Sequence, residues 1–397
     1  MTPIPAFSLP RLPRIEYGDG SFSRVPALLA RFGKHALIVT GRQSFRQTAQ
    51  WETLSSTLTA HGVRWETWQV HGEPSPQEID AAVSALRRAS IDVVLGVGGG
   101  SVLDAAKAIA GLLAPGNSVT DHLEGVGPEL PYLGPTTPFI AVPTTAGTGS
   151  EATQNAVLSV QGENGYKKSF RDERLTAEYA IIDPELMASC PPSRIAANGM
   201  DALTQLLESF VSTRANPFTD ALALDGIRRV RDGLLEWAEG GPQAAEGRRA
   251  MAYAALLSGI TLAQAGLGSV HGLAAPLGAL FPIPHGVACG TLVAAATRAN
   301  IDCMETRDPA NPALEKYAQL GRLFRGRSHV DDVGARVFLV HTLTEWRTRL
   351  ALPRLSHFGV TASDLDRIVA RCRGNSMKTN PIILTDNEAR DILAQRL

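Results

Sequence analysis

The chain has few cysteines, almost no net charge and no long apolar run, and each shortage closes off a class of protein. Its 397 residues include four cysteines, Cys190, Cys289, Cys303 and Cys372, so widely scattered that no CxxC pair occurs. That spacing argues against a disulfide framework or a cysteine zinc site and fits a reducing cytoplasm. Lysine plus arginine total 38 against 39 acids, which leaves no basic footprint for nucleic acid or an anionic membrane. Nowhere do eighteen consecutive apolar residues occur, so no membrane span is expected. The stretch from Met1 to Pro13 is broken by prolines and lacks the continuous apolar run of a signal peptide. A small, neutral or weakly charged molecule is the partner these exclusions leave.

What is present is alternation. The length exceeds one ordinary core and predicts two domains, with residues 1–190 and 191–397 as the division. Ala36-Leu37-Ile38-Val39-Thr40 is a short β-branched run ending at Gly41, the pattern of a buried parallel strand and its turn. Ile79, Ala82, Val83 and Leu86 then recur at i, i+3, i+4 and i+7, which predicts a helix with one apolar face. Ile91 to Leu95 predicts the next strand, and Pro138 to Pro143 a further one. Strands alternating with helices indicate a doubly wound α/β sheet. Near Asp183-Pro184 the alternation stops. From about Pro191 the chain reads as successive helices: Ala197 to Phe210, Ala221 to Trp237, Arg248 to Ala265, Val270 to Leu280, Gly286 to Asn300, and more to the end.

Two loops follow the predicted strands. Gly96-Val97-Gly98-Gly99-Gly100-Ser101 leads into a helix with Val102, Ala105, Ala106 and Ile109 at helical spacing. Unpaired N–H groups and the positive end of a helix dipole at such a turn attract an anion. Glycine lets the backbone approach a phosphate, and Ser101 adds a hydroxyl donor. The second loop, Thr144-Thr145-Ala146-Gly147-Thr148-Gly149-Ser150-Glu151, offers hydroxyls to phosphate or ribose; without a Walker lysine it does not suggest nucleotide hydrolysis. In the helical half, Asp201 and Gln205 are four apart on one predicted helix face, and His271 and His285 flank an apolar turn. A carboxylate and two imidazoles suit Zn²⁺ or Fe²⁺, with a position left for water or a substrate oxygen.

These blocks together carry a resemblance. Gly98-Gly99-Gly100-Ser101-Val102-Leu103-Asp104-Ala105-Ala106-Lys107, Pro143 to Glu151, Gly199-Met200-Asp201-Ala202-Leu203, His271-Gly272 and Pro284-His285-Gly286 closely resemble the iron-containing (group III) alcohol dehydrogenases. The resemblance runs nearly the whole chain. It implies an N-terminal α/β dinucleotide-binding domain, an all-α C-terminal domain and an active site between them, the fold shared with dehydroquinate synthase. It implies NAD(P)-linked interconversion of an alcohol and its aldehyde or ketone at a divalent metal, iron or zinc, in a cytoplasmic homodimer or larger homo-oligomer. The metal set becomes Asp201, Gln205, His271 and His285, with Gln205 where the family usually has histidine and Ala275 where many members carry a second histidine.

Cofactor residues implied or read from the loops are Gly41, Arg42, Ser44, Gly98, Gly99, Gly100, Ser101, Asp104, Thr144, Thr145, Thr148, Ser150 and Lys168. No aspartate stands in Thr40-Gly41-Arg42-Gln43-Ser44, and Arg42 suits a 2′-phosphate, so NADP is expected, with NAD as the alternative. The segment between the two histidines (Leu273, Ala274, Ala275, Pro276, Leu277 and Leu280) has no Lys or Arg and predicts an apolar wall for a small alcohol or aldehyde. That argues against a dehydroquinate-synthase-like lyase. A metal-independent reductase similar to maleylacetate reductases, and a nucleotide-binding homologue with impaired catalysis, are the other readings.

Overall fold

Apolar runs too short for helices become strands where both faces of a sheet are covered. In the computed structural model, which describes residues 6–326 and 330–397, these are β1 (Arg14–Tyr17), β2 (His35–Gly41), β3 (Arg64–Val70), β4 (Val93–Gly98), β5 (Phe139–Pro143), β6 (Asn155–Val160), β7 (Tyr166–Arg171) and β8 (Tyr179–Ile182). The first five residues of the Met1–Pro13 segment lie outside the described ones. The chain forms two compact units. One comprises Pro10–Val160 and Lys167–Ser189, the other Gln161–Tyr166 and Cys190–Leu397 with the described part of Met1–Leu9.

In the first unit six strands form one parallel sheet in the order β1-β8-β5-β4-β2-β3, and β6 with β7 makes a second, two-stranded sheet. Helices α1 (Val25–Phe32), α2 (Ala49–Ala60), α3 (Pro76–Leu86) and α4 (Gly100–Leu112) connect or flank the strands. Ile38, Leu95, Val97, Ile140 and Val142 are fully buried in the core on one side of the sheet. The chain leaves β2 for β3 on one side and returns to β4 on the other. The sheet therefore reverses direction between the carboxyl ends of β2 and β4, where open α/β sheets bind ligands.

The strand read as ending at Leu95 in fact continues through Gly98. Val39 and Thr40 pair with Gly96 and Val97 on one side, and Ala141 to Pro143 pair with Gly96 to Gly98 on the other. Ladder bonds from two neighbours hold glycines in a strand that their propensity disfavours.

The second unit is helical: α5 (Pro192–Val211), α6 (Pro217–Ala238), α7 (Ala244–Ala265), α8 (Ser269–Leu280), α9 (His285–Arg307), α10 (Pro312–Arg325), α11 (Asp332–Arg349), α12 (Leu365–Ala370) and α13 (Asp386–Ala394). Several start earlier than the apolar periodicity indicates because their first turns are polar. Helix α6 begins with a reciprocal Asn216–Thr219 capping box followed by Pro217 at N1. Among the described residues no single helix is long and apolar enough to cross a membrane.

Candidate active site

Helix α5 is buried along most of its length, yet it carries Asp201, Gln205 and Glu208 at i, i+4 and i+7, one polar stripe inside an apolar bundle. His271 projects from α8 and His285 from the first turn of α9. Close approach of α9 to α5 requires Gly286, since a Cβ there would lie 2.4 Å from the Ala197 carbonyl oxygen. Asp201 Oδ1 consequently stands 3.3 Å from His271 Nε2 and 3.8 Å from His285 Nε2, without a well-aligned hydrogen bond to either. In a tetrahedral zinc site the ligand bond lengths place nitrogen and oxygen donors about 3.3 Å apart, so these three atoms can share one ion.

Behind His271 sits a residue the sequence reading missed. His271 Nδ1 donates to Glu208 Oε2 at 2.6 Å, and Val270 N–H donates to Glu208 Oε1 at 2.7 Å. That bond fixes which ring nitrogen faces Glu208 and turns Nε2 toward Asp201, the usual support of a ligating imidazole. The signal was the i+7 spacing from Asp201. A second missed residue is Cys289, one turn after His285 on α9, whose Sγ lies 3.6 Å from His271 Nε2 and 3.7 Å from His285 Nε2. Asp201, His271, His285 and Cys289 each offer a ligand atom within 4.8 Å of the others. The scatter of the cysteines along the chain concealed this, since only one of them joins a mixed set. Gln205 is engaged elsewhere: its Oε1 accepts from Ser258 Oγ of α7 at 2.7 Å.

The cluster asks for positive charge. Burial resists ionisation of Asp201, but His285 and His271 outweigh it and hold the carboxyl below its ordinary range. Burial likewise opposes charge on His271, yet Cys289 first, then the carboxylates of Glu208 and Asp201, hold its pKa well above the ordinary imidazole value. Burial pushes the Cys289 thiol up to about 12. A proton on His271 answers the two carboxylates, and a divalent ion gripped by deprotonated ligands would answer them more fully. The residues therefore fit a divalent metal. His285 is the opening, with a side chain 25% exposed against 6% for His271 and 2% for Asp201. Of the segment expected to form an apolar wall, Leu273, Ala274, Pro276 and Leu277 are buried, while Ala275 and Leu280 are partly exposed.

In the α/β unit the loops after β2, β4 and β5 all leave the carboxyl edge of the sheet. Gly99 caps α4, its carbonyl accepting from Val102 N–H at 2.9 Å, while the N–H groups of Gly100 and Ser101 ahead of it fall where a helix offers no acceptor of its own. The second loop folds over this turn: Thr144 N–H donates to Gly98 O at 2.9 Å, and the side chains of Thr145 and Thr148 lie where a Cβ on Gly99 or Gly100 would need space. A Cβ on Gly100 would come 2.6 Å from Thr148 Oγ1. Gly98, Gly99, Gly100, Ser101, Thr144, Thr145 and Thr148 thus form one cradle. Gly41 lies within the reach of Val102, at the head of the same helix, and Arg42 and Ser44 beyond it are exposed.

Two residues assigned to cofactor contact are bonded within the chain. Ser150 Oγ donates to Asp104 Oδ1, and Asp104 Oδ2 accepts from Val157 N–H, so both side chains also brace the loop. Buried Lys107 completes this staple by donating to Ser150 O, Thr153 Oγ1 and Asn155 O, each at 2.8 Å; burial lowers its pKa to about 8. Lys168, on β7, lies beside Gly125 in the loop that precedes β5.

Comparison with known proteins agrees with this geometry. Residues 13–184 match the model of the iron-containing alcohol dehydrogenases, and residues 195–397 that of the C-terminal Fe-containing alcohol dehydrogenase family. An NADPH-dependent butanol dehydrogenase of Clostridium saccharobutylicum is 29% identical over 97% of this chain and 96% of its own. An NAD-dependent methanol dehydrogenase of Bacillus methanolicus is 32% identical over 68% of this chain and 70% of its own. The crystal structure of a 1,3-propanediol oxidoreductase superposes with a TM-score of 0.89 at 28% identity, covering 99% of this chain and all of the other. The chain belongs to the iron-containing alcohol dehydrogenase family. It is an oxidoreductase, an alcohol dehydrogenase linked to a nicotinamide cofactor.

Proposed function

We propose that the protein interconverts a small alcohol and its aldehyde with NADP(H), using a divalent ion held by Asp201, His271 and His285. The observation that carries this reading is the convergence of Asp201 Oδ1 on two imidazole nitrogens at 3.3 and 3.8 Å, with Glu208 behind one of them. Bound there, the ion would supply Lewis acidity to the substrate oxygen, and the nicotinamide would supply or accept hydride. The chain's residues do the rest. Glu208 holds His271 Nδ1–H and keeps Nε2 available, Asp201 offsets charge, and partly exposed His285 marks the side by which the substrate oxygen arrives. Ala275 carries no proton, so a proton crossing the site must use solvent or another group.

The cradle of Gly98 to Ser101 with Thr144, Thr145 and Thr148 would receive the pyrophosphate, and exposed Arg42, with Gly41 and Ser44, the adenosine ribose and a 2′-phosphate. Relatives of both cofactor habits exist, so NADP rests on this chain's Arg42 and on the missing aspartate. The test is kcat/KM with each cofactor and a short aldehyde. NADPH is expected to be preferred, with Arg42→Ala lowering the NADPH value about tenfold, the loss of one charge-assisted hydrogen bond, and sparing NADH. A tenfold preference of the wild type for NADH would sink the assignment. Asp201→Ala is expected to lose metal and turnover together. On family resemblance the reading extends to a cytoplasmic homo-oligomer, which light scattering checks.

A further inference from the structure

We infer that Cys289, as a thiolate, is the fourth protein ligand of the divalent ion, in the place Gln205 leaves open, so that a substrate oxygen would enter as a fifth ligand. The inference rests on the metal-site reading above and refines it. Sγ stands at nearly equal distances, 3.6 and 3.7 Å, from the two imidazole nitrogens. Bonds of about 2.05 Å to nitrogen and about 2.3 Å to thiolate sulfur subtend about 3.6 Å in a tetrahedron. A thiol bonded only for its own satisfaction has one S–H and approaches one acceptor; here the sulfur is shared evenly between two, as a common centre requires.

Two further observations point the same way. His285 and Cys289 lie at i and i+4 on α9, so a single rigid helix presents both donors on one face. Gln205 Oε1 is committed to Ser258 Oγ, which itself stands 2.8 Å from Ala255 O, so recruiting the amide to an ion would break a buried bond. As the Sγ–metal bond forms, the Sγ–H bond breaks and its proton leaves to solvent. The thiolate and the Asp201 carboxylate at the ion then match its divalent charge, Glu208 staying paired with His271 Nδ1–H, and the softer sulfur favours Zn²⁺ or Co²⁺ over Fe²⁺ or Mg²⁺.

The experiment strips the full-length protein of metal and titrates it with Co²⁺. One equivalent is expected to bind with the intense visible bands of tetrahedral cobalt and a near-ultraviolet sulfur-to-cobalt charge-transfer band. Cys289→Ser should bind cobalt at least tenfold more weakly in chelator competition and lack the charge-transfer band. A variant with serine at Cys190, Cys303 and Cys372 should retain it, which decides the question even if Cys289→Ser does not fold. Bound cobalt without the band in wild type, or loss of the band in the triple variant, overturns the role of Cys289 alone. Failure of the wild type to bind cobalt or zinc overturns the metal-site reading and this inference with it.

Discussion

Replacing Glu208 with glutamine keeps the shape of a buried side chain and removes its charge. The carboxylate serves two donors, His271 Nδ1–H at 2.6 Å and Val270 N–H at 2.7 Å. Glutamine has one acceptor oxygen for those two donors, so one of them must face an amide NH₂. A buried donor left unpaired costs about 1–3 kcal/mol. Removing the partner behind a ligating imidazole typically weakens metal binding about 10–100-fold, which is about 1.4–2.7 kcal/mol. Two independent lines thus give the same size. Zinc affinity measured by chelator competition should fall by that factor in Glu208→Gln, and urea unfolding of the metal-free protein should show the cost of the lost bond separately. Affinity within twofold of wild type, with unchanged metal-free stability, would refute the claim that Glu208 sets the direction of the His271 lone pair.

Glu151 supplies a pH test: burial raises its pKa to about 7 from 4.5. Between those values the native state keeps a proton that the unfolded chain has released, so stability falls as pH rises through the window, by up to about 3 kcal/mol. Glu151→Gln should flatten that part of the urea-derived stability curve; a slope parallel to wild type would show the group to be ionised throughout. Gly286→Ala places a Cβ 2.4 Å from Ala197 O, between two backbones that cannot yield, and should cost about 1–3 kcal/mol of stability together with weakened zinc binding. Gly278→Ala, whose Cβ meets only Ile283 O at 3.8 Å, is the control and should be neutral or stabilising, since alanine favours helix. Equal costs at the two positions would argue that packing at Gly286 does not position His285.

Much of this was legible in the sequence where one local rule decides the outcome. The buried strands β2 and β5, helix α3 with Ile79, Ala82, Val83 and Leu86, and the glycine turn before α4 all follow from short-range pattern. Edge strand β3, Arg-Trp-Glu-Thr-Trp-Gln-Val, was not visible, because an edge strand half open to solvent needs no apolar run. The bonds of Asp104 to Ser150 and Val157 were not visible either, since only the fold brings those residues to it. Asp201, His271 and His285 were found by residue type and motif. Glu208 and Cys289 escaped for opposite reasons: one lay a full two turns from Asp201 within an apolar helix, and the other belongs to a residue class judged by its spacing from other cysteines. Each was recoverable from helical period alone, at i+7 from Asp201 and i+4 from His285.

The stripe on α5 carries one more step. The three longer polar side chains of that stripe, buried on one helix, are a liability, since each unpartnered group costs about a kilocalorie or more and a lone charge several times that. Partners exist for two of them, Ser258 for Gln205 and the His271–Val270 pair for Glu208. Asp201 Oδ1 alone lacks an aligned donor among the described residues, and it faces the two imidazole nitrogens and the sulfur. If packing were the only demand, apolar side chains of similar volume would stabilise this core at least as well. An acid held there with one carboxylate oxygen unspent, and with a second acid orienting the opposite ligand, is a site that fits a cation.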